Sequence, residues 1–337
     1  MKKEIYIIAE VGQAHAGSIT MAHSYIDALA QAGVDAIKFQ MHIADAESSI
    51  HEDFRTTIPY HIGTRTDYWK TMEFTINDWS GLKVHCDNVG LDFIVSPFSV
   101  AAVDILRETG VSKFKIGSGE IDNYLMLDRI ASTGKELVLS SGMSSWIELD
   151  DTVAFLRARN ARFSILQCTT SYPTQPHQWG LNVISELQNR YQVPVGLSDH
   201  SGDIFACLAA AALGAKILEF HVIFDKRIES PDTSSSITID QAKTMVTGIR
   251  HIEIALNSPI DKSNNEEFTR LKTLFGKSLS VNKQLPKGSQ VRQEDLESKK
   301  PAGYGIPPRH YNEVLQKILT RDMQQWEFLA EIHLGNA

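Results

Sequence analysis

Cysteine is scarce: Cys86, Cys168 and Cys207 are the full set in 337 residues, an odd number with no C-x-x-C spacing. That argues against a disulfide framework and against a zinc–cysteine site, and fits a reducing cytoplasm. Long apolar runs are missing as well. None approaches the ~20 residues that span a bilayer. In the opening MKKEIYIIAEVG, Glu10 cuts the apolar run short of a secretory h-region. Basic charge is in short supply, with Lys+Arg 33 against Asp+Glu 41, a net charge of -8 and a pI near 5.8. General nucleic-acid binding and adhesion to anionic membranes both need the opposite balance, so neither partner is expected. An anionic substrate must then be gripped by a few well-placed cations. The chain also lacks G-x-G-x-x-G and low-complexity tracts.

What remains is a cadence of short apolar strands and amphipathic helices. Strands are expected at 5–12, 35–40, 92–97, 113–118, 136–141, 163–169, 194–199 and 216–222, with helices between them and an eighth at about 238–256. Several helical stretches stop at a C-cap glycine, as at Gly33, Gly90 and Gly110. Eight strand–helix pairs predict an α/β fold of the (β/α)8 TIM-barrel type. A doubly wound open sheet is the alternative, weakened by the missing dinucleotide fingerprint. One connection is too long for an ordinary barrel loop: about thirty residues separate Gln40 from the helix near Thr75, which marks a lid or part of a binding site. The expected organisation is a catalytic barrel over 1–258, a polar linker over 259–275 and a small module over 276–337. The module has too thin a core to stand alone and should dock on the barrel or on another subunit. Within it VNKQL and WEFLAEIHL read as extended and HYNEVLQKIL as a short helix.

In a barrel of this kind chemistry sits at the carboxyl ends of the strands. The polar residues there are Glu10, followed by Gln13 and His15; Lys38 and Gln40; Ser96; Lys115, Ser118 and Glu120; and Ser140 and Ser141. The later strands add Thr169, Thr170 and Tyr172, then Ser198, Asp199 and His200, then Glu219 and His221. A lysine inside a parallel sheet is costly unless it meets an anion or is neutralised. Lys38 and Lys115 have three readings: a joint phosphate grip with Ser96, Ser118 and Ser198, ion pairs with carboxylates such as Glu10, Glu120 or Glu219, or a Schiff base as in barrel aldolases. His200 and His221 fall at neighbouring ends of one βαβ unit, where they are either unrelated or share a metal ion. Two imidazoles leave positions open for water and substrate, which suits a Lewis-acid ion such as Mn2+ or Mg2+ better than closed zinc.

These stretches carry a resemblance. AEVGQAHAG at 9–17, IKFQ at 37–40, SPFS at 96–99, KIGSGE at 115–120, LSSGM at 139–143, GLSDH at 196–200 and EFHV at 219–222 are similar, in order and spacing, to motifs of the sialic acid synthase family, the nonulosonic acid synthases. The match runs over essentially the whole chain. KGxxVxxEDL at 287–296 and the KKPAGYGIPP turn resemble the antifreeze-like (SAF) domain of those enzymes. The resemblance implies condensation of phosphoenolpyruvate with an N-acetylmannosamine-type aldose, giving a nine-carbon 2-keto acid and phosphate. It implies phosphoenolpyruvate binding by Lys38, Ser96, Lys115, Ser118 and Ser198, proton handling by Glu10, and a divalent metal on His200 and His221, Mn2+ first with Mg2+ or Co2+ as alternatives. Gln40, Glu120, Thr170, Tyr172 and Asp232 match sugar-facing positions. A homodimer is implied too, with each SAF domain covering its partner's active site.

Three departures fall on the sugar side. Thr170 stands in CTTSYP where the family often has Asn, Lys300 stands where the family has an Arg before the turn proline, and the family's PDH is PDT at 231–233. They put the sugar in question, so a legionaminic or pseudaminic acid synthase acting on a 2,4-diacetamido-2,4,6-trideoxyhexose is the alternative inside the family. Outside it stand a Schiff-base aldolase and a non-catalytic sugar- or ice-binding module.

Overall fold

The computed structural model describes residues 4–56, 58, 61–264 and 266–335. Eight parallel strands, β1 (Tyr6–Glu10), β2 (Ala36–Met41), β3 (Asp92–Pro97), β4 (Lys113–Ile116), β5 (Glu136–Ser140), β6 (Phe163–Cys168), β7 (Val195–Asp199) and β8 (Ile217–Ile223), pair in sequence order. β1 also pairs with β8, so the sheet closes into a (β/α)8 barrel. A short β9 (Ser236–Thr238) adds to β8 past its end. The strands stop close to where the sequence places them, with instructive exceptions. β1 ends at Glu10 because Gly12 turns the chain at φ +54°, and β4 stops at Ile116, short of the expected 118, because Ser118 opens a 3-10 turn over Ser118–Glu120.

Around the barrel run α1 (Ile19–Ala32), α2 (Ala44–Glu47), α3 (Arg65–Met72), α4 (Ile76–Val89), α5 (Val100–Thr109), α6 (Tyr124–Ala131), α7 (Trp146–Ala158), α8 (Leu181–Tyr191), α9 (Phe205–Ala212) and α10 (Ile239–Leu256). Strand side chains alternate between two cores. Ile7, Phe39, Phe93, Phe114 and Phe220 point outward, into the layer between strands and helices. Ile8, Ala36, Ile94, Val138, Leu166 and Ile217 fill the barrel interior above Tyr6. α10 locks the start of β1 in place: Glu253 Oε1 accepts from Glu4 N at 2.8 Å and Ile5 N at 2.6 Å, and Arg250 donates to Ile5 O at 2.8 Å and Asp35 Oδ2 at 2.5 Å. Among the described residues no helix is long and apolar enough to cross a membrane.

The long connection after β2 is not a plain loop. It holds α2 and α3 and a small core of Ala44, Tyr68, Trp69 and Met72, with Phe54 and Ile58 packed against it. α3 starts on a capping box, Thr64 with Asp67.

The chain divides into two compact units, 1–258 and 259–337. In the second, the stretch read as linker contains α11 (Thr269–Phe275), and β10 (Ser278–Val281) pairs with β11 (Leu296–Lys299). The helix expected in HYNEVLQKIL is confined to α12 (Tyr311–Val314). Gln316 at φ +68° breaks it, and the chain turns into β12 (Ile318–Leu319), paired with β13 (Leu334–Gly335). WEFLAEIHL is extended only in part, being interrupted by a 3-10 turn at Glu331–His333.

Candidate active site

The period-two pattern of the strands builds the site. Two positions beyond the interior apolar residues Ile8, Ala36, Ile94, Val138, Leu166 and Ile217 stand Glu10, Lys38, Ser96, Ser140, Cys168 and Glu219. Two positions further on, Gln40, Thr170 and His221 rise toward the mouth. An apolar floor therefore gives way to a charged layer and then to a polar rim.

In the charged layer two buried lysines meet two buried glutamates. Lys38 Nζ is 2.9 Å from Glu10 Oε2 and 3.7 Å from Glu219 Oε1, and Lys115 Nζ is 3.5 Å from that same Glu219 oxygen. Ser96 accepts from Lys38 at 3.3 Å, Ser140 accepts from Lys115 at 2.6 Å, and Ser198 donates to Glu219 Oε1 at 3.1 Å. Both lysines thus pair with carboxylates, Glu10 and Glu219 but not Glu120, and they converge on one oxygen position. Burial alone would raise the Glu219 pKa, but Lys115 and Lys38 outweigh it and hold the carboxyl at about 2. Glu10 moves the other way: burial raises it, with the Glu219 charge adding to the effect, and Lys38 only partly opposes this. Burial would lower Lys38, yet Glu10 and Glu219 reverse that and raise it, whereas Lys115, with Glu219 and the repelling Lys38 as neighbours, is lowered by its burial.

Above this layer lie two adjoining cavities. The lower, about 200 Å³, is lined by Lys38, Lys115, Ser96, Ser118, Ser140, Thr170, Ser198, His200 and His221 among others. A Cβ on Gly142 would come within 2.4 Å of Thr170 Oγ1 and 2.6 Å of Ser118 Oγ, so the bare backbone there keeps those hydroxyls free to face a ligand. The upper cavity, about 320 Å³, is bounded by Gln13, Gln40, Glu120, Tyr172, His221 and Asp232 on the barrel side and by residues of the long connection on the other. Gln40 and Tyr172 line both. Gln40 Nε2 donates to Glu10 Oε1 at 2.6 Å, and Tyr172 stacks on His200 with ring centroids 4.2 Å apart.

The two histidines stand side by side, ring centroids 5.3 Å apart. His200 Nδ1 lies 3.1 Å from Thr169 O, a contact that places its proton on Nδ1 and leaves Nε2 as a lone-pair donor. Burial pushes the His221 pKa down to about 3, so its ring is neutral, and its Nδ1 is buried without a hydrogen-bond partner. Asp232 Oδ2 is 3.9 Å from that atom. Burial would lower the His200 pKa, but the Cys168 thiol and Thr169 O outweigh it and raise it. The paired imidazoles and the orphaned nitrogen suit an ion held by two protein ligands with open positions. A closed site does not fit: among the described residues no three His, Cys, Asp or Glu side chains are grouped to hold a metal.

A model of the NeuB family matches residues 25–261. The chain belongs to the NeuB family. Its similarity to individual NeuB-type enzymes is long-range and even: 32% identity to an N,N'-diacetyllegionaminic acid synthase of Campylobacter jejuni, over 98% of this chain and 100% of that protein. It is 33% identical to an N-acetylneuraminate-9-phosphate synthase of Homo sapiens, over 93% of this chain and 88% of that one. Among solved structures, an N-acetylneuraminic acid synthetase from Leptospira borgpetersenii in complex with citrate superposes with a TM-score of 0.69 at 28% identity, covering 80% of this chain and 90% of that one.

In this NeuB-family chain the two cavities gather Lys38, Gln40, Ser96, Lys115, Ser118, Glu120, Thr170, Tyr172, Ser198, His200, His221 and Asp232, and Glu10 is buried behind them, against Lys38 and Gln40. Lys300 is on the second unit, where its ammonium lies 5.2 Å from the centroid of the Phe275 ring. His15, a candidate by its place near the mouth, is a packing residue. It is buried, tilted against Phe74 at 4.7 Å, and its Nδ1 accepts from Gly17 N at 3.1 Å. Sequence reasoning placed Ser140 at a strand end without giving it a role and left out Cys168, although the two-residue step from the apolar layer points straight at both. It also left out the far wall of the upper cavity: His42, Glu47, Glu52, Arg55, Arg65 and Trp69. The unusual length of that connection was the one signal for them.

Proposed function

We propose that the protein is a nonulosonic acid synthase, condensing phosphoenolpyruvate and water with an N-acylated amino aldose to give a nine-carbon 2-keto sugar acid and phosphate. The observation that carries this is the convergence of Lys38 and Lys115 at the floor of a hydroxyl-lined cavity that opens into a second, sugar-sized one. Phosphoenolpyruvate sits in the lower cavity, its anionic groups on the two lysines and on Ser96, Ser118 and Ser198. Its carbon 3 forms a bond to the aldehyde carbon of the open-chain aldose, whose oxygen takes up a proton. Water then adds at the cationic carbon 2 and loses its proton, and the C–O bond to phosphate breaks to leave the ketone. Glu10, buried beside Lys38 with a raised pKa, is placed to move these protons and to face the developing positive charge. A divalent ion on His200 and His221, Mn2+ with Mg2+ or Co2+ as alternatives, would act as a Lewis acid on the aldehyde oxygen.

The upper cavity supports an unphosphorylated sugar. Its guanidiniums are already paired, Arg65 with Glu52 at 3.3 Å and Arg55 with Asp232 at 2.8 Å, while Glu47 bonds His42 at 2.6 Å. A terminal phosphate would meet carboxylates without a spare cation. N-acetylmannosamine fits this description, and so does a 2,4-diacetamido-2,4,6-trideoxyhexose. Thr170, on the wall of the lower cavity, keeps the latter as the second reading. Product mass with each sugar and phosphoenolpyruvate decides between them. The second unit is proposed to be an SAF-type domain that covers the partner's mouth in a homodimer, and the three buried free cysteines support a cytoplasmic enzyme.

A further inference from the structure

Arg55 stands between α2 and α3, on the segment that crosses the barrel mouth. Its Nη2 donates to Asp232 Oδ1 at 2.8 Å and more weakly to Pro231 O at 3.4 Å. Its guanidinium carbon lies 3.9 Å from the centroid of the Tyr172 ring, and that ring in turn stacks on His200. A carboxylate and an aromatic face thus fix the group on the border of the upper cavity. Its Nε and Nη1 make no hydrogen bond among the described residues, and the side chain is 39% exposed. Pairing with Asp232 offsets the charge and leaves these donors unspent.

A held guanidinium with free donors is suited to a neutral oxygen acceptor, since little rotamer freedom remains to be lost on binding. The strongest neutral acceptor on an amino sugar is an amide carbonyl. Trp69 and Phe98 line the same cavity and offer apolar surface for an acyl methyl. The geometry points to Arg55 as a specificity-determining residue that donates from Nε and Nη1 to the acylamino oxygen of the aldose. It thereby selects N-acylated sugars over the parent hexose, an assignment that rests on reading the upper cavity as the aldose site.

The test compares wild type with Arg55→Ala and Arg55→Lys, using N-acetylmannosamine, a 2,4-diacetamido-2,4,6-trideoxyhexose and mannose. Binding is followed by ligand-detected NMR and turnover by phosphate release. Arg55→Ala should weaken binding and raise KM for the preferred N-acyl sugar about tenfold to a hundredfold. Mannose binding and the KM for phosphoenolpyruvate should change little. Arg55→Lys should recover only part of the loss, because an ammonium supplies one point contact and no fork. Unchanged N-acyl sugar binding in Arg55→Ala overturns the assignment whatever the turnover. So does an equal loss for mannose and phosphoenolpyruvate together with a fall in Tm, which would mark a structural latch. If wild type binds these sugars in an Arg55-dependent way but releases no phosphate, the proposed reaction fails and the Arg55 assignment stands. If it binds none of them, both fall.

Discussion

Glu219 and the two lysines it joins define the lower cavity at the scale of single residues. A buried ion pair contributes little net stability when intact, but removing one partner strands the other charge. Glu219→Gln leaves Lys115 with Ser140 and a main-chain carbonyl, and Lys38 with Glu10 and Ser96. It should therefore lower unfolding stability by about 3–5 kcal/mol in urea titrations; an unchanged midpoint would show that the ammonium groups do not depend on it. The lowered pKa of Lys115 raises the competing Schiff-base chemistry directly. Borohydride added with pyruvate should leave the protein mass unchanged, because the lysines serve as cations, and an adduct on Lys38 or Lys115 would contradict the proposed mechanism. These residues were legible in the sequence because a charge inside an apolar strand is conspicuous. Their partners were harder to foresee. Which carboxylate a lysine meets depends on register across neighbouring strands, such as Ser198 opposite Glu219 and Glu10 opposite His221, and a single strand does not encode that.

Among the elements, β5 and α10 carry the sharpest tests. The turn after β5 approaches the Thr170 and Ser118 hydroxyls through a glycine. Gly142→Ala should raise the KM for phosphoenolpyruvate and lower Tm, since the added methyl would fall 2.4 Å from Thr170 Oγ1, 2.6 Å from Ser118 Oγ and 3.2 Å from the buried Cys168 Sγ, and these groups must shift. Equal KM values in the two proteins would place the phosphate elsewhere. α10 holds β1 through Glu253, whose burial is outweighed by its bonds to Ile5 N, Arg250 and Glu4 N, so that its pKa is lowered in the folded state. A carboxyl depressed on folding contributes stability above its unfolded pKa, near 4.3, and loses that contribution as pH falls through the folded value. The stability gap between wild type and Glu253→Gln should accordingly be full at neutral pH and shrink below about pH 4.5; a gap that widens on acidification would reverse the sign. The barrel strands and α10 could be read from periodicity alone. The long connection could not be read as fully. Its small core and the placement of Arg55 over Tyr172 are tertiary facts with no period to betray them.

For the whole molecule, the family is established and the reaction is the proposal. Deleting residues 276–337 should raise the aldose KM and leave the phosphoenolpyruvate KM unaffected if the second unit serves the sugar end of a partner's site. An unchanged aldose KM would remove that role. If the proposed ion sits on His200 and His221, chelation should abolish turnover and Mn2+ should restore it. The most direct measurement of the central claim is phosphate release and product mass with phosphoenolpyruvate and an N-acylated amino aldose, alone and together, in the presence of Mn2+. The account predicts phosphate only when both substrates are present, with a product heavier than the aldose by one pyruvate unit. Phosphate without aldose, or none with either sugar class, would contradict it.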